Sequence, residues 1–125
     1  MKKRILIVSI SVLLLLFAVA CSSKTISTPD WLQGTWTNSS NDNETLTITE
    51  DNVVINSFGS VAFDANALLT TYENAGIDQE DSDNSYNLTI INKDSGMGMV
   101  LGFLLDETTD VLSLTFGGQT YTFSR

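Results

Sequence analysis

Two alternating apolar and polar stretches, Val111–Phe116 and Gln119–Ser124, are separated by only Gly117 and Gly118. A two-residue Gly-Gly link between period-2 segments is a tight hairpin signal, because the favoured turns need positive φ at their central residues. The link pairs Phe116 with Gln119, Leu114 with Tyr121 and Leu112 with Phe123. Side chains alternate along a strand, so Leu112, Leu114, Phe116, Tyr121 and Phe123 line one face, and by the same parity Arg125 joins them. A pair of strands fixed in this way needs further antiparallel partners to bury that face.

The rest of the chain supplies them. Residues 31–37 read as a first strand and residues 45–49 alternate with threonine outward. Asp51-Asn52 reads as the next two-residue turn, pairing Glu50 with Val53 and Ile48 with Ile55, so that Leu46, Ile48, Val53 and Ile55 share a face. Residues 86–91 form another strand. Residues 97–105 are apolar on both faces, which predicts a cover over the second face. Residues 64–76 break the pattern: Ala65, Leu68, Leu69 and Tyr72 make a helical stripe, with Asp64 as N-cap, Phe63 and Leu68 as a staple and Gly76 at C′. That helix is the expected cover.

At the other end of the chain, Lys2, Lys3 and Arg4 precede an apolar run over residues 5–19, then Ala18-Val19-Ala20-Cys21. A charged n-region, a short apolar h-region and small residues at a cut describe an export signal. The run falls short of the roughly 20 apolar residues of a membrane-spanning helix. The segment resembles a bacterial lipoprotein signal peptide with its lipobox, with Ala18 where leucine is commonest. The resemblance implies cleavage between Ala20 and Cys21, a diacylglycerol on the Cys21 thiol and an acyl chain such as palmitate on the new amino group. An ordinary secretory signal is the competing reading. The expected organisation is a signal peptide over residues 1–20, a lipidated flexible tether over 21–29 and a β domain over 30–125. The implied location is a bacterial membrane, facing the periplasm or cell surface, with Ser22 favouring the outer membrane.

Charge and composition narrow the function. The chain carries a net charge of −9; residues 21–125 keep only Lys24, Lys93 and Arg125 against fifteen acids, a net −12. Without a Lys or Arg cluster, nucleic acid is excluded as a partner. Anionic headgroups repel such a surface, so the membrane is reached through lipid on Cys21. One cysteine permits no intramolecular disulfide, and the absence of histidine removes Ser-His-Asp and Cys-His catalysis. Residues 77–85 are the most acidic stretch and read as a solvated loop. Asp81-Ser82-Asp83-Asn84-Ser85 opens like a calcium loop, but Tyr86 stands at the glycine position and Asn92 at the distal glutamate position. No metal and no cofactor are expected.

Gly34-Thr35-Trp36 at the start of the β domain resembles the opening motif of lipocalin-like barrels. The resemblance implies a close backbone approach at Gly34, Trp36 packed at the closed end, and the last-strand Arg125 lying across Trp36. With closure as the way to remove sheet edges, the expected fold is mainly β: a small antiparallel up-and-down barrel of about seven to eight short strands with one short mid-chain helix. A two-sheet sandwich is the alternative. The domain is shorter than typical lipocalins and lacks their disulfide cysteines.

The expected role is a non-enzymatic binding module for an apolar small molecule or an envelope or host protein. Trp31, Phe58, Phe63, Tyr72, Met97, Met99 and Phe103 are the candidate lining, with core packing the competing role for each. In a filled barrel, binding moves to the loops at residues 38–44 and 78–85, whose acids suit a cationic partner. Inhibition of an exported protease through residues 22–30, or a purely structural envelope role, are the alternatives. A carboxylate pair acting without histidine is disfavoured, because acids in solvated turns do not have their pKa values split.

Overall fold

The computed structural model describes residues 25–125, so the signal peptide and the lipobox residues Ala20 and Cys21 lie outside the described residues. The described chain forms nine antiparallel strands in one sheet: β1 (Gly34–Asn38), β2 (Glu44–Thr49), β3 (Asn52–Ser57), β4 (Ser60–Asp64), β5 (Ala75–Asp81), β6 (Ser85–Asn92), β7 (Gly98–Asp106), β8 (Val111–Phe116) and β9 (Gln119–Ser124). A seven-residue helix, α1 (Ala65–Thr71), links β4 to β5.

The sheet order is β4-β3-β2-β1-β9-β8-β7-β6-β5. Every neighbour is joined by a hairpin except β1 and β9, which bring the two ends of the sheet's chain together. The sheet curls into a half-barrel, and the expected closed barrel is corrected to this open form. β4 and β5 remain edges, and α1 packs against β3 and β5 beside the gap. Ala65 and Leu69 are its buried residues. The nine strands exceed the expected seven to eight through β4 and β5.

The core-facing alternation follows the sequence closely. Trp36, Leu46, Ile48, Val53, Leu88, Ile90, Leu101, Phe103, Leu112, Leu114 and Phe123 form one contiguous core. The β8–β9 register has Phe116 opposite Gln119, Leu114 opposite Tyr121 and Leu112 opposite Phe123, with positive φ at both Gly117 and Gly118. The β2–β3 hairpin differs: its turn is Glu50-Asp51, so Ile48 faces Val53 and Leu46 faces Ile55. This shift preserves parity and keeps the same four residues on one face. Asn52 is drawn into the ladder because its side chain ties strand to helix, donating to Asp64 and accepting from the Asn66 N–H.

Four further expectations change. Residues 30–32 form a 3-10 turn rather than strand, which buries Leu32 as a plug and starts β1 at Gly34. Gly34 has φ of 133°, and a Cβ there would meet open space, so conformation rather than close approach requires glycine. Asp64 does cap α1 by accepting from the Ala67 N–H, but Gly76 is not at C′; it lies in β5. The acidic stretch around residue 78 is strand rather than loop, with Ala75 and Ile77 buried and Asp78 outward. Charges pointing out along an edge strand oppose pairing with another chain.

Residues 25–29 are also packed. Ile26 is 1% exposed, and Thr28 bonds β2 through both its N–H to Glu50 and its hydroxyl to Thr49. The Gln79 side chain accepts from the Ser27 N–H and donates to the Thr25 carbonyl, fastening the segment to β5. The domain boundary therefore precedes Asp30, because Ile26 supplies apolar area to the core and the adjacent backbone finds partners there.

Candidate functional site

The two ends of the half-barrel differ. At one end the 3-10 turn inserts Leu32, Trp36 is fully buried, and its indole N–H donates to the Leu32 carbonyl at 2.9 Å. The Arg125 guanidinium lies 4.2 Å from the centre of the Trp36 ring. Arg125 also donates to the Trp31 carbonyl and pairs with Asp110 at 3.5 Å. Trp31 donates its indole N–H to Ser82, which draws the β5–β6 turn over the same end. This end is closed.

The other end is open. Ile55, Phe63, Met99, Leu114, Phe116, Tyr121 and Phe123, with Ala62 and Glu44, surround a cavity of about 350 Å³. That is near the lower limit of small-molecule sites, which run from roughly 300 to 1,000 Å³. Phe63 of β4 meets Phe116 of β8 with ring centroids 5.7 Å apart, spanning the interior between strands that are not neighbours in the sheet. A bulge in β4 between the partners of Ile55 and Asn56 inserts Ala62 at the rim. Glu44 supplies the carboxylate. Its Oε1 accepts from Asn38 Nδ2 at 2.7 Å, and the Asn38 amide is itself held by the Ser40 N–H.

Of the expected lining residues, the structure brings Phe63 and Met99 to this cavity. Phe103 is buried in the core and stacks on Tyr86, with centroids 6.1 Å apart. Tyr72 caps α1, while Trp31 serves the closed end. Phe58 and Met97 are 70% and 74% exposed in the turns near the open end. Gly34, Trp36 and Arg125 assemble at the closed end. The sequence reading missed Glu44, placed among polar turn residues, although parity from Leu46 and Ile48 puts it on the inner face.

The outer face of β7 is uncovered: Val100 and Leu104 are exposed, and α1 lies against other strands. The expected helical cover over this face is thereby corrected. A depression of about 750 Å³ runs there over Gly102, whose missing Cβ would meet Asn87 Oδ1 at 3.0 Å. It is more open to solvent than the mouth, which is the more enclosed of the two sites.

Buried polar chemistry elsewhere is satisfied. The Tyr86 hydroxyl donates to Gln79 Oε1 at 2.6 Å; burial, and secondarily the Asp81 charge, push its pKa well above the ordinary tyrosine value. Among the described residues no group of three or more Cys, Asp or Glu could hold a metal ion, and no helix is long and apolar enough to cross a membrane. Comparison with protein-family models, curated proteins and solved structures gives no match.

Proposed function

We propose that this protein is a non-enzymatic binding module that takes a small apolar molecule into the open mouth of its half-barrel. The apolar cavity between β3, β4, β7, β8 and β9 carries this reading. One end of the core is plugged by Leu32 and Trp36, which leaves the mouth at the other end as the side from which a ligand enters. Apolar walls supply affinity, and a few fixed polar groups supply orientation.

The lipobox-like Ala18-Val19-Ala20-Cys21 supports an exported chain held at a bacterial membrane by lipid on Cys21. Tethering then raises the effective concentration of the module at that surface. Two experiments test the two halves separately. A neutral naphthalene probe such as 1-naphthylmethanol binds the wild-type chain, and Ala62→Trp, which places an indole at the rim without disturbing the core, abolishes binding. Cys21→Ser moves the protein from the membrane to the soluble fraction with its circular dichroism unchanged; continued membrane retention overturns the lipid anchor.

A further inference from the structure

We infer that the mouth selects apolar amines: ligands with an aliphatic or aromatic body and a cationic, hydrogen-bond-donating head. This inference rests on the binding reading above and narrows it.

The polar side chains that reach the cavity are acceptors. Asn38, only 8% exposed, is locked by the Ser40 N–H on its Oδ1 at 2.7 Å, so its Nδ2 is committed to Glu44 Oε1. Glu44 is thereby held at the wall while its second oxygen has no partner among the described residues. The other polar side chain, Tyr121, already donates its hydroxyl proton to Gln119 Oε1 at 2.8 Å. Its oxygen remains able only to accept. No lysine or arginine lines the space.

A carboxylate-headed ligand, such as a fatty acid, would bring like charge against Glu44 with no compensating donor. A neutral donor can bond Glu44, but a primary ammonium adds charge to the same hydrogen bond, the stronger combination. The chain's net charge of −9 attracts cations toward every part of its surface, so selectivity must be shown to come from the mouth.

The test uses three probes with one apolar body: 1-naphthylmethylamine, 1-naphthylmethanol and 1-naphthoate, titrated calorimetrically into the purified chain. The amine is expected to bind at least about tenfold tighter than the naphthoate, as a charge-assisted hydrogen bond implies. Glu44→Gln, which still accepts from Asn38 through its Oε1 but carries no charge, removes the amine's advantage over the alcohol. Equal affinities for amine and naphthoate, or an amine preference that survives Glu44→Gln, overturn the inference while the cavity reading stands. Amine binding that persists in Ala62→Trp assigns it to surface acids and also overturns the inference. Silence of all three probes overturns the binding reading itself.

Discussion

Phe63 and Phe116 touch across the interior of the half-barrel, from β4 to β8, with their rings 5.7 Å apart and inclined at 48°. Backbone hydrogen bonds do not join these strands, so the ring contact holds the curl at its open end. A double-mutant cycle of Phe63→Leu and Phe116→Leu, read by urea denaturation, is expected to give a coupling of about 0.5–1.5 kcal/mol. Zero coupling would mean the mouth is held without this pair.

Trp36 and Arg125 serve the seam between β1 and β9, where the register comprises only Thr37 with Ser124 and Asn38 with Phe123. Trp36→Ala should destabilise by about 3–5 kcal/mol, since it empties a fully buried site. Arg125→Ala should cost about 0.5–2 kcal/mol, because the guanidinium is partly exposed. An Arg125→Ala melting temperature equal to wild type would show the stacked cation to be inert.

Phe58 adopts φ of 53° at the first central position of the β3–β4 turn, followed by Gly59 at 81°. This is a type I′ arrangement, in which asparagine is favoured and an aromatic residue is strained. Phe58→Asn is expected to stabilise by about 1 kcal/mol, measured by thermal melting. A loss of stability would show that the exposed ring packs against the rim.

Ile26 tests where the domain begins. Ile26→Ala should cost about 2–5 kcal/mol in chemical denaturation, the range for truncating a buried isoleucine. A neutral result would return residues 25–29 to the role of a tether.

Alkaline pH tests the buried Tyr86 hydroxyl. Its folded-state pKa is raised, chiefly by burial, so the folded state keeps the proton longer than the unfolded chain does. Stability is therefore complete below the unfolded value near pH 10 and falls as pH rises beyond it. The urea midpoint should decline above about pH 10 in the wild type and less steeply in Tyr86→Phe. Parallel profiles for the two proteins would assign the decline to other groups.

Much of this architecture is legible in the chain because alternation and turn chemistry agree. Gly117-Gly118 admits one register, and the parity of β9 carries Arg125 to the inner face beside Trp36. The shifted β2–β3 turn shows the limit: Asp51-Asn52 and Glu50-Asp51 preserve the same parity, and the choice depends on Asn52 meeting Asp64 and Asn66. β5 was hidden because Ala75, Ile77 and Gln79 are its inward residues, and only Ile77 has a large apolar side chain. Its remaining signal is masked by acids that belong to an exposed edge. The cavity was half legible: Phe63 and Met99 were candidates by residue type, whereas Ile55, Leu114 and Phe123 are ordinary core positions until the curl leaves space beside them.

The fastening of Thr25 and Ser27 to Gln79 gives the domain a posture. Gln79 stands toward the plugged end of β5, so the first described residues are fastened on that side of the fold. Asp30, Glu50, Asp51, Asp81 and Asp83 occupy the connections and strand termini at that end, where an anionic leaflet would push them away. The mouth lies at the opposite ends of strands about 20 Å long. Under the proposed lipid anchor, the acids of the plugged end would stand the half-barrel off an anionic leaflet and keep its mouth in contact with solution.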